Sequence, residues 1–118
     1  MPYVDGYVLP VPTKNLNAYR AMARVGAKVW KDHGALQYRE CVGDDLNVKF
    51  GMPFPKLVKA KKGETVVFSW IVFKSRAHRD RVNAAVMKDP RLAACMTKKM
   101  PFDVKRMGVG GFKVLVEA

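Results

Sequence analysis

Two carboxylates, Asp5 and Glu40, lie in stretches otherwise dominated by apolar and aromatic residues, Tyr3-Val4-Asp5-Gly6-Tyr7-Val8 and Leu36-Gln37-Tyr38-Arg39-Glu40-Cys41-Val42. Withdrawal from water is one way a carboxyl group is tuned into a general base. The structural alternative is an ion pair, for which Arg39, Lys105 and Arg106 are available. Asp5 is the stronger candidate for a catalytic proton acceptor, because in an extended strand it shares a face with Tyr3 and Tyr7. A site built on it takes Tyr7 and Trp70 as ligand-binding aromatics, with Arg39 or Arg106 to orient an anion. Phe68 and Trp70 are spaced to hold a planar ligand, and equally to pack the interior of a strand pair.

The remaining reactive side chains point to packing. His78 falls on the same helical face as Val82, Ala85 and Val86, but no second ligand stands at a metal-binding spacing, so neither a metal nor a cofactor is expected. His33 sits where a helix ends and its dipole favours positive charge. Cys41 and Cys95 have no neighbouring base or cysteine-enzyme signature and read as packed thiols. The run Gly108-Val109-Gly110-Gly111 lacks both the GxGxxG spacing and a following helix, which leaves strand bulging as its explanation.

These residues must be positioned by a single domain, since 118 residues with 49% hydrophobic content leave no room for a second core. The 22 basic and 10 acidic residues give a formal charge of +12, which attracts polyanions. No zinc-finger spacing, helix-turn-helix pattern or aromatic RNP strand accompanies that charge, so binding to nucleic acid is expected to be weak and non-specific. Two distant cysteines form no disulfide framework, and the first residues show neither a signal sequence nor a membrane span; a cytoplasmic location is expected.

Hydrophobic periodicity supplies the elements. Strands are expected over 3–10, 35–42, 65–73 and 106–116, the first closed by Pro10 and Pro12 and the last bulged at its glycines. A helix over 14–33 buries Leu16, Tyr19, Ala23, Gly26, Ala27 and Trp30, with Arg20, Arg24, Lys28 and Lys31 on the adjoining face. Ser75 caps a second helix running to Lys88, and a short helix over 91–99 turns Leu92, Ala93 and Met96 inward. Residues 43–64 are irregular, with 56–61 suited to a short helix or a strand. The order βαββαβ is that of an α+β ferredoxin-like fold with an antiparallel sheet.

The strand over 65–73 carries Val66, Phe68, Trp70 and Val72 on one face and Val67, Ile71 and Phe73 on the other, with Ser69 alone polar. Helices cover one face, so the second is expected to be covered by another copy of the chain, making a homodimer.

Six segments, YVDGYV at 3–8, GAL at 34–36, VVFSWI at 66–71, MPFD at 100–103, KRM at 105–107 and GGF at 110–112, give the chain its resemblance to the YbaA-like family, domain of unknown function 1428. The resemblance runs end to end. It implies the dimeric α/β-barrel superfamily, in which two ferredoxin-like sheets pack together. That superfamily includes cofactor-independent monooxygenases, isomerases, haem-dependent enzymes and proteins without known chemistry, so the resemblance transfers no activity. The leading expectation is a homodimer that holds a small organic ligand between sheet and helices, with both binding and cofactor-independent catalysis left open. The alternatives are a basic interaction module for nucleic acid or an acidic partner, and a structural or regulatory protein with no small ligand.

Overall fold

The computed structural model describes residues 1–118. Strand β1 runs over Tyr3–Pro12, β2 over Gln37–Val42, β3 over Glu64–Phe73 and β4 over Gly108–Lys113, and they form one antiparallel sheet in the order β2-β3-β1-β4. Helix α1 spans Leu16–Asp32, α3 spans Arg76–Met87 and α4 spans Pro90–Met96; α2 is a single turn at Phe54–Leu57. A valine- and aromatic-rich β3 pairs along its whole length with β1, from Tyr3↔Phe73 to Pro12↔Glu64.

The core lies between the sheet and the helices. Tyr3, Val29, Ile71, Phe73, Val82 and Val86 form one buried cluster, and Leu9, Val11, Tyr19, Ala23 and Val67 form another. Alternation along β1 and β3 turns Tyr3, Asp5, Tyr7, Leu9, Val67, Ser69, Ile71 and Phe73 toward the helices. Val4, Gly6, Val8, Phe68, Trp70 and Val72 line the opposite, open face. Ser75 caps α3 by accepting from the His78 amide at 3.1 Å, as expected of a serine before a helix.

Several boundaries differ from the sequence expectation for identifiable reasons. Pro10 does not end β1, which runs on to Pro12; pairing with β4 stops at Val8, so both prolines lie where β1 has one neighbour and a missing N–H is tolerated. The final strand is shorter than 106–116: Arg106 belongs to a 3-10 turn at Val104–Arg106, while Leu115 and Val116 are 91% and 82% exposed. Its glycines make no bulge, because the register with β1 is unbroken from Tyr3↔Lys113 to Val8↔Gly108. At Gly111 a side chain would meet the Tyr3 hydroxyl at 2.5 Å and Arg79 at 2.9 Å, so glycine there admits a close approach. Helix α4 begins at Pro90, with Asp89 as its cap, and turns Leu92 and Cys95 inward; Ala93 is exposed.

Candidate functional site

The pairings Tyr7↔Ser69 and Glu40↔Ser69 align Tyr7, Ser69 and Glu40 in one row across β1, β3 and β2, on the helix-facing side. The next row on one side carries Leu9, Val67 and Val42, which are wholly apolar. The polar row floors a cavity of about 260 Å³, most of whose lining is hydrophobic. Helix α1 supplies Met22, Gly26 and Trp30 to its walls, α4 supplies Leu92, Cys95 and Met96, and Met100, Phe102 and Met107 close it from the chain leading into β4. With Met87, five of the seven methionines of the chain line this space. Unbranched thioether side chains repack readily around occupants of different shape.

Glu40 is held from two elements. The Tyr19 hydroxyl of α1 donates to Oε1 and the Tyr38 hydroxyl of β2 donates to Oε2, each at 2.7 Å. Phe102 meets the Tyr19 ring edge-on at 5.6 Å, which fixes the donor's position. Burial, reinforced by the Glu40 carboxylate, pushes both tyrosine hydroxyls far above their ordinary range. Tyr7 is pushed up to about 12, chiefly by burial and then by Asp5 and Glu40, with Arg79 opposing. All three phenols therefore stay protonated at neutral pH and act as donors. The hydroxyls of Tyr7 and Ser69 bond to no other residue; no fully buried polar side-chain atom is left unpaired, so both open on the cavity.

Of the five residues assigned to a site from sequence, Asp5, Tyr7, Trp70, Arg39 and Arg106, Tyr7 alone lines this cavity. Asp5 is buried on the helix-facing side, but Arg79 Nη1 donates to one carboxylate oxygen at 2.7 Å and Asn83 Nδ2 to the other at 3.2 Å. Asn83 in turn accepts from Trp30 Nε1 at 2.9 Å, and the Arg79 guanidinium lies 4.9 Å from the Tyr3 ring centre. Asp5 thus joins β1, α3 and α1. Trp70 is opposite Gly6 in the register, not on the face of Asp5 and Tyr7, and donates to Gln37 Oε1 at 2.8 Å. Arg39 pairs in register with Trp70 and is exposed on the same open face. Arg106 bonds Glu64 at 2.7 and 2.9 Å and the Lys59 carbonyl at 3.0 Å, away from the cavity. The expected convergence of Asp5, Trp70, Arg39 and Arg106 is therefore corrected by strand alternation and by these ion pairs.

Glu40, the second carboxylate considered from sequence, is the one at the cavity. Its position follows from sharing a β2 face with Tyr38, but Tyr19 and Ser69 come to it through α1 packing and strand register, which one strand's pattern does not specify. His78 accepts the Lys74 amide through Nδ1 at 3.0 Å, and His33 bonds Asp89 at 2.8 Å. No group of three or more His, Cys, Asp or Glu side chains is placed to hold a metal ion, and no helix is long and apolar enough to cross a membrane.

An antiparallel sheet in the order β2-β3-β1-β4 with its long helices on one face defines the ferredoxin-like class of α+β proteins. Two solved structures share this architecture across all of the chain: Rv0793 from Mycobacterium tuberculosis, with TM-score 0.62, 15% identity and 99% of that chain covered, and a dimeric ferredoxin-like protein from an uncultured marine organism, with TM-score 0.55, 15% identity and 100% covered. The chain belongs to the protein family of unknown function DUF1428, which matches residues 2–104. It is 43% identical over 117 residues to the YbaA proteins of Escherichia coli strain K12 and Shigella flexneri, covering 99% of this chain and 99% of each relative.

Proposed function

We propose that this chain binds a small, largely apolar organic molecule in the cavity between sheet and helices, with Glu40 as its hydrogen-bond and proton acceptor. The observation that carries this reading is the carboxylate, gripped by Tyr19 and Tyr38, on an apolar cavity floor beside the unpartnered hydroxyls of Tyr7 and Ser69. A volume of about 260 Å³ lies just below the range of roughly 300–1,000 Å³ typical of ligand pockets, which suits a small molecule. Protonated Tyr7 would donate to an oxygen of the ligand while Glu40 accepts from its O–H, with no cofactor taking part. Proton transfer to Glu40 would leave an oxyanion on the ligand facing the Tyr7 hydroxyl, the arrangement a cofactor-independent enzyme needs.

The working unit in this proposal is a homodimer joined through the open sheet face. Phe68 and Phe112 expose 45% and 61% of their surfaces there, and the marine structural relative is described as dimeric. Two free cysteines fit a reducing, cytoplasmic location.

The ligand reading is tested with 2-naphthol, a neutral apolar molecule bearing one O–H. It is expected to raise the melting temperature of the wild type, to do so less for Glu40→Gln, and not to do so for Ser69→Leu, which fills the cavity floor. A shift of equal size in Ser69→Leu would place the binding elsewhere and end the proposal.

A further inference from the structure

A second recess lies on the outer side of the Glu40 cluster. It is a groove of about 280 Å³ between α1 and β2, and it shares Tyr19, Ala23, Tyr38 and Glu40 with the inner cavity. The carboxylate and its two tyrosines are thus a partition with open space on both sides. The groove is mostly apolar, with Leu16, Val42 and Val67 among its lining residues, but Arg20 and Arg24 also line it.

These two arginines are four residues apart on α1 and therefore on one face, where like charges repel. Neither forms an ion pair. Arg20 donates from Nη1 to the Asn17 side-chain carbonyl at 2.8 Å, which leaves its other N–H groups free, whereas Lys28 one turn beyond Arg24 is neutralised by Asp32 at 3.5 Å. Elsewhere in the fold Arg79, Arg91 and Arg106 are each held by carboxylates, while Arg39, Arg76 and Arg81 are unpaired but line neither recess. The only acid among the groove's lining residues, Glu40, bonds to Tyr19 and Tyr38 and pairs with neither arginine, and each of its oxygens keeps a further lone pair. Two unneutralised guanidinium groups beside an apolar recess are complementary to an organic anion, which would relieve their repulsion and accept planar, paired hydrogen bonds.

We infer that the ligand is an amphipathic hydroxy acid, with its anionic group held by Arg20 and Arg24 in the α1–β2 groove and its hydroxyl donating to Glu40 at the partition. This rests on the reading that Glu40 accepts from the O–H of a small ligand, and extends it by giving that ligand a charge and a direction of approach. The apolar body lies along the groove against Leu16, Val42 and Val67, and the arginines favour the acid over its neutral analogue.

The matched probes are 6-hydroxy-2-naphthoate and 2-naphthol, which differ by one carboxylate, titrated by fluorescence against the full chain. The acid is expected to bind at least about tenfold more tightly to the wild type, as hydrogen bonds to a charged group are worth about one such factor. The double variant Arg20→Gln/Arg24→Gln should remove the acid's advantage over 2-naphthol, and raised salt should weaken the acid alone. Glu40→Gln should weaken both. If the two probes bind equally, or the double variant leaves the preference intact, the anion assignment falls while the cavity reading stands. If neither probe binds, both fall.

Discussion

On the helix-covered face of the sheet, Asp5, Tyr7, Ser69 and Glu40 carry polar groups into an otherwise apolar layer. On the open face, Val4, Val8, Phe68, Val72 and Phe112 present hydrocarbon where water has access. Each face is the reverse of what the burial of a single chain favours, since polar groups cost free energy when withdrawn from water and apolar ones when left in it. The covered face meets the cost at Asp5 and Glu40 by supplying a donor to every carboxylate oxygen. The open face has only partial cover from within the chain, where Phe54 of α2 stacks on Phe68 at 6.0 Å, and Phe112 stays 61% exposed. Recognition of a molecule is therefore expected on the first face and association of copies on the second.

The sharpest way to break this contrast is to orphan a charge on the covered face. Arg79→Ala removes the guanidinium 2.7 Å from the buried Asp5 carboxylate and leaves Asn83 as its remaining partner. Loss of one member of a buried ion pair is expected to cost about 3–5 kcal/mol in urea unfolding. A loss below about 1 kcal/mol, the range of exposed pairs, would mean that Asp5 is effectively solvated and the two faces less different than described.

Next in size is a charge placed on the open face. The Phe112 ring lies over Gly6, where an added Cβ would stand 3.4 Å from it, and it is 61% exposed. Phe112→Asp should leave the fold intact and weaken dimerisation by about 2 kcal/mol or more, roughly thirtyfold, if the ring is an interface anchor. Sedimentation of wild type and variant at micromolar concentration reads this directly. A monomeric wild type, or an unaltered dimer in the variant, would show that the exposed hydrocarbon on this face does not drive assembly.

The contrast was partly legible before any coordinates. Alternation in VVFSWI assigns Phe68 and Trp70 to one side and Ser69 to the other, and the βαββαβ order limits the sheet to few arrangements. What alternation within a strand does not contain is the register between strands: Gly6, not Asp5, faces Trp70, which removes the tryptophan from the expected site. Sequence pattern also did not reveal that α3 would present Arg79 and Asn83 to Asp5, occupying that carboxylate, while Tyr19 from α1 would reach Glu40. Both depend on how helices lie across the sheet, a tertiary property with little local signature. The methionines lining the cavity are scattered from Met22 to Met107, so their convergence had no linear motif.

The smallest effect tests whether the covered face also discriminates against charge near neutral pH. His78, at the start of α3, packs edge-on to Phe73 at 6.0 Å and accepts the Lys74 amide through Nδ1 at 3.0 Å, which requires the ring to be unprotonated at that nitrogen. Burial lowers its pKa, with the positive charges of Lys74 and Arg81 acting in the same direction. The folded value therefore lies below that of the unfolded chain, near 6.5, and the unfolded chain takes up the proton first as pH falls. This contribution to stability is fully present above about pH 6.5 and is lost as the pH drops through the lowered, folded-state value. His78→Phe keeps a ring against Phe73 but has nothing to protonate, so its stability relative to wild type should improve between pH 7.5 and pH 5. A difference between the two proteins that stays constant over that interval would mean that His78 is protonated equally easily in both states, and that this end of the covered face is open to water.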